Sequence, residues 1–502
     1  MDKDLSSIQE ARDLANTAHR AWESWSRASQ EEVDRVCVAV AQAAFSASAR
    51  LGQLAYEETG FGIAAHKKIK NEFGSKVVWE SIKDVKTVGV INHDTRHKYY
   101  EIAWPVGVIA ALIPSTNPTS TTFFKGLIAL KARNAIVFAP HPTAVRCTYE
   151  AASVMEQAAV NAGAPPGLIN CIQNVCLAGT QELMHHKQVA LILATGGTPM
   201  VKAAHSTGKP AFGVGPGNVP VYVDRSADVK RAASYIVASK SFDCSTICAS
   251  EQSVVADAPI AAQLREEMQN LGAYFTSESE TAALRTTVFN SDGSMNVNVV
   301  GKPAAFVAEK AGFAVPVNTR ILVTPLTKVG REEPLSHEKL TTVLGWYEVD
   351  DWESGCETSI ALIGTGGTGH TQVIHAANED VIMAFGLEKP VFRILVNTMG
   401  TLGAIGYTTG LMPSLTLGPG GIGGAITGDN ISVNHLMNIK RLAYEVTPPP
   451  AEIFSAPGIE KKPIEAISST SPDPQPVSDT ALEEIVRVVL AEILGKQNSN
   501  NH

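Results

Sequence analysis

The stretch SFDCSTICASEQSVV, residues 241–255, places two cysteines four positions apart, Cys244 and Cys248. A C-x3-C pair without two further Cys or His ligands close by makes a poor zinc site, so no metal centre is expected. The bland reading of any single cysteine is a small buried hydrophobe. Cys248 stands apart from that reading because it sits in a polar turn free of glycine. There, backbone N–H groups or the start of a following helix could lower the thiol pKa and hold a developing oxyanion. The chain has seven cysteines, an odd and scattered set. They do not form a disulfide framework, and in a reducing compartment most are expected to be inert buried thiols.

The elements that must position Cys248 are legible around it. It follows the helical DVKRAASYIVASK. Short apolar runs GVIAALIP, AIVFAP, LINCIQ, VALILATGG and VPVYVD alternate with amphipathic segments, which predicts parallel βαβ units. Such sheets bind ligands at the carboxyl ends of their strands. A second α/β region runs to about residue 440 and closes in the glycine-rich SLTLGPGGIGGAITGDN. At the N-terminus, Leu5, Ile8, Ala11, Leu14, Ala15, Ala18, Trp22 and Trp25 predict a helix with Ser6 and Gln9 as its capping box. A second helix, capped by Ser29 and Glu32, is predicted to run through Val33, Val38 and Leu51 to Gly60.

Composition narrows the function classes. Apolar residues make up 44%, charged residues 18%, and the net charge is −9, without the basic field that nucleic acid or anionic lipid requires. MDKDLSSIQEARD lacks a basic segment followed by an apolar one, and no apolar run reaches membrane-spanning length, so a cytosolic chain is expected. The 502 residues exceed one ordinary core.

FDCSTICASEQSVV resembles the active-site segment of the CoA-acylating aldehyde dehydrogenases, F-D-N-x-x-x-C-A-S-E-Q. IPSTNPTST, VFAPHP, ATGGTPMVKAA, FGVGPGNVPVYV, SHEKLTTVL and PSLTLGPGGIGG match in order across residues 100 to 440. The resemblance implies an α/β aldehyde dehydrogenase fold with a Rossmann-like cofactor domain and an α/β catalytic domain. The expected divisions are an NAD/CoA-binding domain at 1–238, a catalytic domain at 239–424 and a return or oligomerisation segment at 425–446.

The same resemblance implies roles residue by residue. Cys248 would attack the aldehyde and carry the acyl group as a thioester. Asn117 would stabilise the oxyanion with the Cys248 backbone N–H, although Asn before Pro is also an ordinary turn signal. Glu338 would bind the nicotinamide ribose, and Thr195, Gly196, Gly197 and Thr198 the cofactor pyrophosphate. Pro140 and His141, in VFAPHP, would line the groove that takes the ADP parts of NAD and CoA in turn. Thr119, Ile247 and His370 are candidates on the substrate or CoA side, a hydrogen-bonded core histidine being the other reading of His370. Hydrolytic relatives carry a general-base glutamate in a pattern like L-E-L-G-G-K, where this chain has Gly213. A thioester without that base would wait for the CoA thiol.

After Tyr444 the chain turns Pro- and Ser-rich, predicting a linker at 447–477. TALEEIVRVVLAEIL then predicts a short amphipathic helix at 478–496, with Leu482, Ile485, Val489 and Ile493 on one face and Thr480 with Glu483 as its capping box. This tail resembles the encapsulation peptides of bacterial microcompartments. The resemblance as a whole implies a homodimeric or homotetrameric enzyme of the bacterial cytoplasm, held inside a compartment by shell proteins and acting on propionaldehyde. Acetaldehyde or sulfoacetaldehyde remain alternative substrates, and a cargo or scaffold protein with weak catalysis is the alternative of another class.

Overall fold

The computed structural model describes residues 2–454, and apart from residues 447–454 the expected linker and amphipathic helix lie outside them. Two compact units are present, residues up to 84 with 106–436, and residues 85–105 with 437 onward. In the first, all five predicted apolar runs form strands. Val108–Ile113, Ala135–Pro140, Ile169–Cys171 and Val189–Thr195 join Ala211–Val214 in a five-stranded parallel sheet. Its order is 169, 135, 108, 189, 211 by first residue, so the chain winds one way from Val108–Ile113 and then returns to wind the other way. Such a reversal opens a crevice at the carboxyl ends of the two strands between which it occurs. Here those are Val108–Ile113 and Val189–Thr195. The strands Val108–Ile113 and Ala135–Pro140 are buried at every position, as expected where helices cover both faces.

The fifth run, Val219–Val223, belongs to a seven-stranded parallel sheet. There it lies between Glu251–Asp257 and Gln372–His375. The chain therefore changes sheets at residues 215–218, ahead of the expected division after residue 238. Residues 425–436 likewise stay with the first unit. Sequence runs mark strands well, whereas the sheet a strand joins is decided by pairing partners far away in the chain.

The N-terminal helices differ from expectation in two details. The first, Lys3–Trp25, is capped by Asp2, whose side chain accepts from Asp4 N–H, so Ser6 lies inside the helix instead of starting it. Ser29 and Glu32 form the predicted reciprocal box, but the run to Gly60 is two helices, Gln30–Ser46 and Ser48–Thr59, broken at Ala47. Both present buried apolar faces, so periodicity alone did not show the break. Gly60 ends the second at φ 67, a left-handed cap that suits glycine. Helix Ala64–Glu72 follows and passes through a π-helical turn, Phe73–Val77.

The second unit is a three-stranded antiparallel sheet in the order Val90–Asp94, Tyr99–Pro105, Met437–Ala443. Within it Lys440 Nζ stands 3.3 Å over the Trp104 ring. Among the described residues no helix is long and apolar enough to cross a membrane. No cluster of three or more His, Cys, Asp or Glu side chains there could hold a metal.

Candidate active site

Cys248 lies between helix Val229–Ser241 and strand Glu251–Asp257, at the amino end of that central strand. Three residues of the connecting turn, Asp243, Cys244 and Ser245, take left-handed backbone angles of φ 48, 51 and 65. Each costs a non-glycine residue about 1 kcal/mol or more, so the turn must be held from outside. Asp243 provides the grip. Its buried carboxylate accepts from Ile63 N–H at 2.6 Å, Lys67 Nζ at 3.2 Å, Lys70 Nζ at 2.5 Å and Thr246 Oγ1 at 2.7 Å. Its own N–H donates to His66 Nδ1 at 2.8 Å. Helix Ala64–Glu72 thus clamps the turn that presents the cysteine.

Asn117 precedes helix Pro118–Lys131 and does not cap it with its side chain. Instead its Nδ2 donates to Thr246 O at 2.9 Å, two residues before Cys248, and to Thr116 Oγ1 at 3.2 Å. Its Oδ1 accepts from Lys70 Nζ at 2.5 Å. The amide is aimed at the cysteine loop, which a plain turn residue would not require.

Three more strands of the seven-stranded sheet, Val219–Val223, Val343–Val349 and Gln372–His375, bring their preceding loops to the same place. A Cβ on Gly217, just ahead of Val219–Val223, would lie 2.3 Å from Cys248 O and 3.0 Å from His370 Cγ and Nδ1. This is a close approach that only glycine permits. Gly217 N–H donates to Glu338 Oε1 at 3.0 Å. Glu338 stands in the loop before strand Val343–Val349, which Gln252 Oε1 steadies by accepting from Lys339 N–H and Lys240 Nζ, both at 3.0 Å. Cys248, Gly217, Glu338 and His370 therefore converge at the amino ends of these strands, whereas carboxyl ends were expected. Asn117 comes from the carboxyl end of the five-stranded sheet, where the expectation holds.

The electrostatics also depart from the sequence reading. No helix starts after Cys248, and burial together with the Glu338 carboxylate pushes its thiol up to about 12, against the opposing pull of Arg393 and Lys70. The expected lowering does not occur, so the thiol is protonated at neutral pH. Burial raises Glu338 to about 7. His370 is 1% exposed and pushed down to about 3 by burial and by Arg393, so it is a neutral imidazole. Its Nδ1 lies 2.9 Å from Thr371 Oγ1, and its buried Nε2 has no hydrogen-bond partner. Cys244 is 2% exposed, and burial and Asp243 push its thiol up to about 12.

The diphosphate and adenosine-side candidates, unlike Glu338, gather at the crevice of the five-stranded sheet. Ile113 pairs with Pro140, and Leu112 with Ala194, so the loops after these strands are neighbours. Thr195 Oγ1 stands 3.2 Å from Thr416 Oγ1. Gly197 precedes helix Thr198–His205 without any side-chain cap; in the first turn Pro199 has no N–H and Met200 N–H donates to Gly197 O at 3.0 Å, so an outside acceptor would be met at the Gly197–Thr198 start of the helix. His141 N–H donates to Ile113 O at 3.1 Å, and its Nδ1 lies 2.9 Å from Thr143 Oγ1. Gly213 borders this region on strand Ala211–Val214. A Cβ there would stand 2.5 Å from Val201 Cγ1 and 2.7 Å from His205 Nε2, so a side chain at this position would have to displace both. Ile247 is buried beside the cysteine. Thr119 is turned elsewhere, its hydroxyl donating to Asn71 Oδ1 at 2.7 Å.

A family model for the aldehyde dehydrogenase family matches residues 3–282, more than half of the chain. The chain belongs to that family. It is 42% identical over 444 residues, 88% of its length, to the bifunctional aldehyde-alcohol dehydrogenase AdhE of Escherichia coli K12, covering 50% of that protein. It thus spans about half the length of such curated relatives. An acetylating aldehyde dehydrogenase from Geobacillus thermoglucosidasius superposes with TM-score 0.89 at 49% identity, over 90% of this chain and 99% of that one. A propionaldehyde dehydrogenase from the fucose-utilisation microcompartment of Clostridium phytofermentans superposes at TM-score 0.78 and 26% identity, over 86% and 96%.

This aldehyde dehydrogenase chain uses residues that the sequence did not single out. Lys67 and Lys70, three apart in an N-terminal helix, read as surface lysines, which are almost never fully buried without a partner. Their partner, Asp243, lies more than 170 positions away. Arg393 donates to the carbonyls of Gly369, Gly418 and Gly428 and holds the glycine-rich closing segment beside His370. Only the density of glycines in GTGGTGH and GPGGIGG hinted at such a contact.

Proposed function

We propose that the chain oxidises a short-chain aldehyde with NAD, holds the acyl group on Cys248 and passes it to coenzyme A. The observation that carries this reading is the Asn117 amide fixed to the loop of Cys248, together with the closed space at Gly213. In the proposed reaction the half-buried Cys248 thiol loses its proton to solvent, its sulfur attacks the carbonyl, and the Asn117 Nδ2 and Cys248 backbone N–H receive the oxyanion. The uncapped start of helix Thr198–His205, at a sheet crevice bordered by glycines, fits a dinucleotide diphosphate. Thr195, Gly196, Gly197 and Thr198 would hold that diphosphate, Glu338 the adjacent ribose, and Pro140 with His141 the adenosine side. When bound, the nicotinamide supplies the hydride acceptor. His370, neutral and with Nε2 open, is assigned to hydrogen bonding on the acyl or CoA side. It is too weak a base to keep a proton.

The cations near Cys248 favour an uncharged substrate. Arg393 is committed to backbone carbonyls, and Lys67 and Lys70 to Asp243. An anionic aldehyde would thus meet no free partner among them. Aldehydes of two and three carbons differ by one methylene, which discriminates by about 1–3 kcal/mol. Propionaldehyde is the expected substrate and acetaldehyde its near equal, the latter favoured by the acetylating relative. Turnover of acetaldehyde, propionaldehyde, succinic semialdehyde and sulfoacetaldehyde with NAD and CoA tests this. The uncharged pair should exceed the anionic pair at least about tenfold in kcat/KM, and the reverse order would overturn the assignment.

The tail supports placement in a microcompartment, as with the Clostridium phytofermentans relative. The short helix that the sequence predicts at 478–496 would be marginal alone in water, so the apolar residues predicted to share its face would call for a partner surface. Deleting residues from Thr447 onward should leave specific activity in dilute solution nearly unchanged and remove co-purification with shells. Residues 478–496 fused to a fluorescent protein should enter shells. Loss of activity on truncation would show that the helix packs on the enzyme.

A further inference from the structure

We propose that Lys70 is a positioning residue for the reaction, its ammonium holding and polarising the Asn117 amide that receives the oxyanion. This rests on the oxyanion role given to Asn117 above. Lys70 is 3% exposed, and its three N–H donors have three acceptors: Asn117 Oδ1 at 2.5 Å, Asp243 Oδ2 at 2.5 Å and Thr246 Oγ1 at 3.0 Å. An ammonium accepts no hydrogen bond, so it fixes which end of the amide faces it. Asn117 Oδ1 must point to Lys70 and Nδ2 toward the cysteine loop. Of the two Nδ2 hydrogens, one holds Thr246 O and the other makes the longer contact with Thr116 Oγ1. The second is the one a substrate oxygen can take over. A charge-assisted bond to Oδ1 draws electron density from the amide nitrogen and makes Nδ2 a stronger donor.

Charge balance points the same way. Lys67 already pairs with Asp243 and donates to Thr116 O at 3.0 Å, so neutralising that carboxylate does not require Lys70. Two ammonium groups thus share one carboxylate. His66 and Cys244, which border the cluster, are neutral at working pH. Burial lowers His66, and burial raises the Cys244 thiol. Burial also lowers Lys70, to about 8 with Asp243 opposing, which leaves it mostly charged at neutral pH. A surplus buried cation is costly. Here it lies behind the amide that would hold the substrate oxygen on which negative charge develops, and so complements that charge.

The test is the rate of the first NADH formed per site under single-turnover conditions, measured for Lys70→Met, Asn117→Ala, the double variant and Lys67→Met. NAD affinity and thermal unfolding are measured alongside. Asn117→Ala should slow this step about 100-fold or more, and Lys70→Met about tenfold or more. Because Lys70 acts through Asn117, adding Lys70→Met to Asn117→Ala should slow it no further, and Lys67→Met alone should slow it less than Lys70→Met. NAD affinity should not change. An unchanged rate in Lys70→Met overturns the inference. An equal slowing in the Asn117→Ala background also overturns it, since Lys70 would then act through Asp243 and the turn. If Lys70→Met does not fold, Lys70→Gln, which keeps a donor but no charge, replaces it in the same cycle. A normal rate in Asn117→Ala alone would instead remove the oxyanion reading itself.

Discussion

Cys248→Ala is expected to abolish aldehyde-dependent reduction of NAD, by about four orders of magnitude or more, while Cys244→Ala keeps most of the activity. The two thiols differ in setting more than in chemistry. Cys248 is half-buried at the meeting point of the Asn117 amide, Gly217 and Glu338. Cys244 is enclosed in the left-handed turn that Asp243 holds. Alanine at 248 removes the proposed nucleophile and little packing, so the variant should fold and bind NAD as the parent does. Alanine at 244 loses a small buried thiol, at a cost of about 1 kcal/mol of stability. NADH absorbance in the two variants decides the matter. An active Cys248→Ala with a dead Cys244→Ala would reverse the assignment.

The second large effect is expected when CoA is left out. With aldehyde and NAD alone, NADH should appear as a burst near one per active site and then slow about 100-fold or more relative to the complete reaction. Hydrolysis of the thioester needs a base that activates water, and at the position where hydrolytic relatives carry a glutamate this chain has Gly213. Val201 and His205 close the space that a side chain would occupy there. Glu338, raised to about 7 by burial, is the nearby carboxylate that could act on water instead. It is tied to Gly217 N–H and assigned to the cofactor ribose. Rapid multiple turnovers without CoA would give Glu338 or another group the role of base.

Much of this organisation was legible from the sequence because strands leave local signals. The five apolar runs became strands, and the Ser29–Glu32 box formed as written. Asn117, itself an ordinary turn signal before Pro118, and Glu338 are placed at the site by motif alone, and the structure supplies their contacts. What stayed hidden depends on distant partners. The sheet that Val219–Val223 joins is set by strands beginning at residues 251 and 372, and the burial of Lys67 and Lys70 by Asp243. The thiol pKa was misread because a polar turn was taken as open to helping dipoles. Its surroundings are a buried site in which the Glu338 carboxylate disfavours the thiolate. The break at Ala47 was invisible because both flanking helices keep a buried stripe.

Mass spectrometry of the quenched protein, with peptide mapping, tests the central claim most directly. After aldehyde and NAD are mixed without CoA, the peptide containing Cys248 should carry one acyl group as a thioester, and adding CoA should remove it and release acyl-CoA in equal amount. An unmodified Cys248 during an NADH burst, or an acyl group that leaves as carboxylate just as fast without CoA, would contradict the account.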